Sequence, residues 1–299
     1  MKITPIFHIL SILIMPLSGF MVVSGFVDFV YNNQNWINFF ISATITLFVG
    51  MSVFLATRGH NDQNVDLRQA FVLTTMSWIT IAFFGALPFY LSNINLNFTD
   101  SFFESMSGIT TTGSTILINI EASPPGILAW RSLLQWLGGI GVIVMAIAIF
   151  PMLSVGGMQL FKAENFENPE KVVPRATSLT RGIFIIYSVL TLIWASLLYF
   201  SGMSSFDSIL HSMTTIATGG YSTKSGSIGA FNSQLIDWII ILGMIFGSLP
   251  FVHYLAMTKG SYRDLIKDSQ VRWFLVLLTI LVLTIFSLLF LNGTYDWKD

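Results

Sequence analysis

The chain has 299 residues, of which 54% are hydrophobic and only 10% are charged, with a net charge of −1 and no cysteine. Water-soluble domains carry about 25% charged residues, so this composition indicates a chain surrounded by lipid. The balanced charge argues against nucleic-acid binding, and the lack of cysteine excludes disulfides and cysteine-ligated metals within this sequence.

Seven apolar stretches have about the length that a helix needs to cross the hydrocarbon core, roughly 20 residues. They cover about residues 5–30, 36–56, 68–91, 127–151, 182–202, 235–257 and 271–292. The first stretch continues past Pro16 and lacks an A-x-A-like cleavage site. We therefore interpret it as a membrane span and not as a signal peptide.

The distribution of basic residues predicts a cytoplasmic N-terminus, because Lys and Arg concentrate in cytoplasmic loops. In that orientation only Arg131, Lys224 and Lys298 of the 14 basic residues lie outside. The acidic residues assigned to the outer side are Asp28, Asp100, Glu104, Glu121, Asp207, Asp237, Asp296 and Asp299. They either raise the cation concentration at a pore mouth or are ordinary solvated loop charges.

Two outer segments, about residues 92–126 and 203–234, differ from ordinary loops. Each begins with an amphipathic stretch too short to span a membrane and then reaches a cluster of Thr, Ser and Gly. A shift of about 107 residues aligns them, with identities at Asp100/Asp207, Ser101/Ser208, Ser105/Ser212, Met106/Met213, Ile109/Ile216, Thr111/Thr218 and Gly113/Gly220. This pattern predicts a parallel internal repeat of span, re-entrant loop and span.

The predicted fold is an all-α integral membrane protein, with two leading transmembrane helices followed by span–pore loop–span repeats. The expected divisions are the leading helices (1–66), a first repeat (67–151), a cytoplasmic connector (152–181), a second repeat (182–258) and the start of a third (259–299). The connector is either a docking site for a cytosolic partner or a solvated linker.

The two polar clusters predict an ion site made of backbone oxygens. The residues expected to form it are Thr110, Thr111, Thr112, Gly113, Ala217, Thr218, Gly219 and Gly220. Carbonyl oxygens can replace the hydration shell of an ion, and non-helical backbone at membrane depth is tolerated where it lines a cavity. Because the clusters contain no carboxylates, a monovalent cation fits better than a divalent one. The alternative, that both clusters are simple turns or packing sites, is weakened by their common offset.

Other residues near the clusters admit two interpretations each. Glu104 and His211 lie at equivalent positions and either support the loops through hydrogen bonds or take part in proton coupling. The stretch 134–141 contains glycines that favour tight helix packing, and Gln135 within it could instead hydrogen-bond the loop backbone. We find no pattern typical of an enzyme, such as a Ser-His-Asp arrangement or a phosphate-binding glycine loop.

Four motifs resemble the Trk/Ktr/HKT superfamily of potassium transporters, and most of all its bacterial TrkH family. They are SFFESMSGITTTGST at 101–115, QWLGGIGVIV at 135–144, GGMQLFKAE at 156–164 and TTIATGGYST at 214–223. The resemblance covers essentially the whole chain, including the two leading spans. It implies a multi-pass protein of the bacterial plasma (inner) membrane that takes up potassium ions and has no organic cofactor.

The resemblance also implies the site and the partners. Members have four repeats around one permeation path, with a central glycine in each filter loop that corresponds here to Gly113 and Gly220. Carbonyls just before these glycines would bind K⁺, which points to Thr111, Thr112, Thr218 and Gly219. Besides membrane lipid, the implied partners are a second copy in a homodimer and a cytosolic nucleotide-binding regulatory subunit similar to TrkA.

The sequence departs from the family pattern after the second repeat. A full member continues through two further repeats, whereas this sequence stops at Asp299, where the third short helix would begin. A second polypeptide would then supply the remaining repeats, or two copies would pair, or the chain is a truncated product. We expect truncation or a split gene. The alternative function is a non-transporting or inactive fragment that needs a second chain.

Overall fold

A computed structural model of the chain describes residues 3–59, 67–153, 172–258 and 260–291. These residues form helices joined by turns and loops, and they contain no β-strand. The predicted connector motif at 156–164 lies outside the described residues. The chain divides into two compact units, Met1–Ser248 and Leu249–Asp299.

The first unit begins with a helical hairpin, α1 (Thr4–Val30) and α2 (Trp36–Thr57). Both helices are apolar on nearly all sides, which is typical of helices exposed to lipid. They approach closely at small residues, since Gly25 lies against Phe39 and Gly50 lies against Met15 and Ile14. This hairpin corresponds to the two leading spans predicted from the sequence.

Each of the following two segments has a long helix at its start and another at its end, with a 12-residue helix between them. The first segment contains α3 (Leu67–Gly85), α4 (Leu87–Leu91), α5 (Phe98–Ile109) and α6 (Pro125–Leu153). The second contains α7 (Val172–Phe200), α8 (Ser205–Ile216) and α9 (Gln234–Ser248). The short helices α5 and α8 have 12 residues each. At 1.5 Å per residue each is about 18 Å long, too short to cross a membrane of about 30 Å.

The short helices begin with the same kind of cap. The side chain of Asn97 accepts a hydrogen bond from the backbone N–H of Asp100 at 2.9 Å, and the Ser204 hydroxyl accepts one from the Asp207 N–H at 3.0 Å. Such caps satisfy an N–H group that the helix itself leaves without a partner. Asn97 and Ser204 are 107 residues apart, so the two helices start at equivalent positions.

The first half of α6 lies at the centre of the first unit. Ile127, Trp130 and Leu134 are completely buried there, and the indole N–H of Trp130 donates to the carbonyl of Gly85 at 2.9 Å. The start of α6 is held by Asp28 of α1, whose carboxylate accepts from the Gly126 N–H at 2.6 Å. The sequence assigned Asp28 to the outer side, and its side chain is fully buried against a helix N-terminus, so it is not a solvated loop charge.

The second unit contains α10 (Phe251–Met257), α11 (Tyr262–Lys267) and α12 (Ser269–Leu291). Asp268 starts α12 by accepting hydrogen bonds from the N–H groups of Gln270 and Val271, and it also lies 3.2 Å from the imidazole of His253. The side chains of α12 are almost all exposed and apolar, as expected for a helix that faces lipid or another protein segment.

Five described helices are long and apolar enough to cross a membrane, or six if α9 and α10 count together as one span. The predicted span at 235–257 is interrupted between Ser248 and Phe251, so it is a broken span or two separate helices and not one straight helix. Pro250 explains the interruption, since proline lacks the N–H that a continuing helix requires. The helix α6 has 29 residues and coincides with the predicted span at 127–151.

Candidate functional site

The backbone follows the same path after α5 and after α8. Thr111 and Thr218 have φ of 56° and 52°, and Gly113 and Gly220 have φ of 78° and 83°. Positive φ is accessible to glycine but is a marked outlier for a β-branched residue such as threonine. The two segments thus share an unusual conformation at positions 107 residues apart. We call residues 110–115 the first loop and residues 217–222 the second loop.

Backbone hydrogen bonds maintain this shared conformation. The N–H of Thr112 donates to the carbonyl of Ser107 at 3.0 Å, and the N–H of Gly219 donates to the carbonyl of Thr214 at 2.8 Å. Both bonds join the turn to the last turn of the preceding helix. Each loop is therefore attached to the C-terminal end of its short helix, where the helix dipole favours a cation.

The two loops meet at Gly113 and Gly219. The carbonyl oxygen of Gly219 lies so close to Gly113 that a Cβ on Gly113 would overlap it. The structure therefore brings together the two stretches that the sequence singled out.

The eight predicted site residues differ in exposure. Thr112, Thr218 and Gly220 are exposed, Thr110, Thr111 and Gly113 are half-buried, and Ala217 and Gly219 are buried. The hydroxyl of Thr110 donates to the carbonyl of Met106 at 2.7 Å, so it is engaged by its own helix.

Glu104 supports the first loop from behind. Its fully buried carboxylate accepts hydrogen bonds from the Thr115 hydroxyl at 2.9 Å and from the Ile116 N–H at 3.1 Å. The guanidinium of Arg131 donates to the same carboxylate at 2.8 Å. The supporting role predicted for Glu104 is confirmed by these contacts.

His211 supports the second loop at the equivalent position. One ring nitrogen, Nδ1, lies 2.8 Å from the carbonyl of Asp207, and the other, Nε2, lies 3.0 Å from the hydroxyl of Ser222. Because a carbonyl can only accept, Nδ1 carries a proton, and in the neutral ring Nε2 accepts from Ser222. Ser222 and Thr115 are 107 residues apart, so the two supports match in position but differ in chemistry.

Three residues on one side of α6, namely Arg131, Gln135 and Gly139, face the second loop. We call them the α6 contact face. They are spaced four residues apart and so lie above one another on the helix. The Gln135 side-chain amide donates to the Gly219 carbonyl at 2.7 Å and accepts from the Tyr221 N–H at 3.1 Å. The alternative interpretation of Gln135, a hydrogen bond to the loop backbone, is thus confirmed.

The glycines of α6 pack against both short helices. A side chain on Gly138 would overlap the carbonyl of Ile109 at the end of α5, and one on Gly139 would crowd Ala217 after α8. In the second segment Gly247 takes the corresponding place against the carbonyl of Ile216. The predicted close packing of these glycines is confirmed, and it explains why no larger residue fits.

Arg131 connects the two loops. The basic-residue count placed it on the outer side, and its side chain is only 1% exposed, so it lies inside the protein and not in solvent. Besides its ion pair with Glu104, it donates to the carbonyl of Ser222 at 3.0 Å. Its guanidinium also lies 4.1 Å from the ring centre of Tyr221, where a cation is attracted by the aromatic face.

A second connection joins the segments that follow the loops. Ser225 donates to the carboxylate of Glu121 through its N–H at 2.7 Å and through its hydroxyl at 2.5 Å. The Ser225 hydroxyl lies 3.3 Å from the N–H of Ile120. These hydrogen bonds lower the pKa of Glu121, the side-chain bond from Ser225 contributing most. Among the described residues no group of three or more His, Cys, Asp or Glu is arranged to hold a metal.

Known proteins resemble this chain in sequence and in fold. The chain is 40% identical to the Trk system potassium uptake protein TrkI of Halomonas elongata over 94% of this chain and 57% of that protein. It is 36% identical to the Trk system potassium uptake protein TrkH of Escherichia coli K12, over 99% and 62% respectively. The crystal structure of the potassium transporter TrkH from Vibrio parahaemolyticus matches with a TM-score of 0.88 and 32% identity, over 99% of this chain and 61% of that one.

The chain thus spans about three fifths of the length of the curated relatives that it matches. The TrkH family, described as cation transport proteins, matches residues 35–297. A family match of this extent covers the hairpin helix α2, both loops and α6. The chain belongs to the TrkH family of cation transport proteins.

Proposed function

We propose that this chain takes part in potassium uptake across the plasma membrane. The relatives named above are potassium uptake proteins, and the matching crystal structure is that of a potassium transporter. Both loops lack charged side chains, which suits a large and weakly hydrated monovalent ion. The structural observation that supports this proposal most directly is that two loops of the same unusual conformation touch at Gly113 and Gly219.

We infer that the ion is bound by carbonyl oxygens of Thr111, Thr112, Thr218 and Gly219. Thr110, Gly113, Ala217 and Gly220 complete the two stretches. Alternation between ordinary and positive φ departs from the pattern of a strand, in which successive carbonyls point in opposite directions, and can turn neighbouring carbonyls towards one side. The support of each loop comes from its own short helix, through Glu104 in α5 and His211 in α8.

The membrane arrangement is part of the proposal. The helices α5 and α8 are too short to span, so each would enter the membrane from the outside and return through its loop. The regions 67–151 and 182–258 would then be two repeats, preceded by leading helices in 1–66, joined by the cytoplasmic connector 152–181, and followed by the start of a third repeat in 259–299. The N-terminus would lie in the cytoplasm.

The proposed partners follow from the Trk systems of the relatives. We infer that the protein acts in the inner membrane as the membrane subunit of a Trk-type system, as a homodimer or together with a complementary chain. A cytosolic nucleotide-binding subunit similar to TrkA would regulate it. The connector that faces the cytosol lies largely outside the described residues.

Substitution of the loop glycines tests the function. We expect both Gly113→Ser and Gly220→Ser to reduce rubidium uptake in a host that lacks its own potassium uptake systems. Both residues have positive φ, where a side chain costs about 1–2 kcal/mol. This cost corresponds to a roughly tenfold lower population of the loop conformation. At Gly113 the side chain would also overlap the Gly219 carbonyl, whereas Gly220 has open space around it. The Gly113 variant should therefore be the more severe.

The control is Gly229→Ser, because Gly229 also has free space but an ordinary φ. It should take up rubidium at the wild-type rate at equal expression. Unchanged uptake and unchanged preference for Rb⁺ over Na⁺ in both loop variants would refute the proposed function.

A further inference from the structure

We propose that Gln135 is a positioning residue for the second loop and that it sets the preference of this loop for K⁺ over Na⁺. It does so by holding the carbonyl oxygen of Gly219. The inference rests on the proposed function, because it assumes that the second loop borders the ion path.

The geometry around Gln135 is that of a fixed support. Its side chain is fully buried, and its amide uses both ends, donating to the Gly219 carbonyl and accepting from the Tyr221 N–H. These two partners lie on either side of Gly220, which has positive φ. One rigid amide therefore fixes the orientation of the peptide groups that flank the central glycine.

The residues one turn before and one turn after Gln135 contact the same loop. Arg131, one turn earlier, holds the carbonyl of Ser222, and Gly139, one turn later, lies against Ala217. The α6 contact face thus follows the second loop from its end to its beginning. Because α6 belongs to the first segment, a helix of one segment determines the shape of the loop in the other.

A hydrogen bond from behind favours a larger ion for two physical reasons. A carbonyl oxygen has two lone pairs, so Gly219 can accept from Gln135 and still face an ion. The fixed oxygen cannot follow a smaller ion inwards, and sharing its electron density with a donor weakens the field that it offers. Both effects disfavour Na⁺, which needs closer and stronger ligands than K⁺.

Among the described residues, no side-chain amide bonds the first loop in this way. At the 109-residue offset that relates Gly138 to Gly247, the counterpart of Gln135 is Met244, whose thioether cannot donate a hydrogen bond. The first loop is held instead by the Glu104 carboxylate, which bonds Thr115 and Ile116 beyond the central glycine. In the part of the chain that the structure describes, a side-chain amide therefore holds the carbonyl before the central glycine in the second loop but not in the first.

The test uses the substitution Gln135→Met, which keeps the side-chain length and removes both hydrogen bonds. The full-length protein is purified in detergent, and its thermal unfolding is followed in KCl and in NaCl against choline chloride. Ligands that bind the folded state raise the unfolding temperature according to their affinity. For each ion the measured quantity is the concentration that gives half of the maximal rise in unfolding temperature. We expect the ratio of the Na⁺ concentration to the K⁺ concentration to fall about three- to tenfold in the variant, which corresponds to the net free energy of one hydrogen bond.

Ser132→Ala is the matched control. Ser132 is a buried polar residue on the same helix, and its hydroxyl donates to the carbonyl of Leu128 within α6. This variant should lose some stability in all salts but keep the wild-type ratio. The comparison separates ion discrimination from a general loss of packing.

A second variant reaches the same contact from the loop, in case Gln135→Met does not fold. A Cβ on Gly219 would overlap the side-chain amide of Gln135, so an alanine there disrupts the same contact from the other partner. Gly219→Ala should therefore displace the amide and lower the ratio by a similar factor. The double variant should resemble either single variant, because both remove one interaction.

The outcomes are distinguishable. If Gly113→Ser abolishes the K⁺ preference while Gln135→Met and Gly219→Ala keep it, the role of Gln135 is refuted and the proposed function stands. If the wild-type protein shows no greater stabilisation by K⁺ than by Na⁺, both fail together. A lowered ratio in both variants with an unchanged control supports the inference.

Discussion

Two threonines show how single residues shape the site. Thr111 and Thr218 adopt positive φ, a conformation that a β-branched residue takes only when its surroundings impose it. The preceding helix imposes it here, through the bonds from Thr112 to Ser107 and from Gly219 to Thr214. The repeat in the sequence predicted that these residues are equivalent. It did not predict their strain, because threonine ordinarily favours extended structure.

The ion pair of Glu104 and Arg131 leads to a prediction at the same scale. Removing one partner of a buried pair leaves an uncompensated charge, which costs about 3–5 kcal/mol. We expect Arg131→Met to lower the unfolding temperature strongly, and the double variant Glu104→Gln/Arg131→Met to recover part of the loss. Thermal unfolding in detergent measures both. A single variant no less stable than Ser132→Ala would show that the pair contributes little.

Arg131 also shows the limit of inference from residue counts. The positive-inside rule assigns Arg131 to a side of the membrane but does not indicate that its side chain is buried in the protein. A signal was available, because Arg131 lies within the apolar stretch 127–151 and a charge there requires a partner. Its connection to Tyr221 and Ser222 could not be inferred, since these residues lie about 90 positions away.

At the scale of elements, α6 is the helix on which both loops depend. Hydropathy predicted its position and the glycines predicted close packing. Neither indicated that Gly138 contacts α5 whereas Gly139 contacts the turn after α8. The contact between Gly247 and Ile216 corresponds to the contact between Gly138 and Ile109. The two isoleucines are 107 residues apart but the two glycines are 109 apart, so the second segment has two extra residues after its loop. A constant offset could not reveal this difference.

The start of α6 gives a prediction for the leading hairpin. Asp28 accepts from Gly126 and also from the side chain of Asn35 at 2.9 Å. Loss of a helix cap costs about 0.5–2 kcal/mol of stability, and a negative charge at a helix N-terminus stabilises the helix further. We expect Asp28→Ala to lower the unfolding temperature more than Asp28→Asn, which retains an accepting oxygen. Equal stability of both variants and the wild type would exclude this role.

The Glu121–Ser225 contact gives a prediction with pH dependence. Because the pKa of Glu121 is lowered, its contribution to stability is present above the usual value of about 4.3 and is lost as the pH falls through the lowered value. We expect Glu121→Ala to increase hydrogen exchange around Ser225 at pH 7. The wild type should show this increase only in strong acid.

Mass spectrometry of peptides that contain Ser225 measures the exchange, and Ser227→Ala in the same segment is the control. Exchange in Glu121→Ala that equals the wild type at pH 7 would mean that the contact does not protect the segment.

At the scale of the whole molecule, orientation is open to test. Arg58 lies on the predicted cytoplasmic side and Asn95 and Gly226 on the outer side. We expect alkaline phosphatase fused after Asn95 or Gly226 to be active, because this enzyme matures only outside the cytoplasm, and a fusion after Arg58 to be inactive. The reverse pattern would invert the proposed topology.

The role of α6 has a practical consequence for exchanging parts between relatives. A chimera divided in the connector would separate the second loop from the helix that carries Gln135 and Arg131. The second loop of one relative would then pack against the α6 helix of another relative, whose residues are adapted to a different loop. Functional exchange should succeed when the start of α6 travels with the second segment, although the two are far apart along the chain.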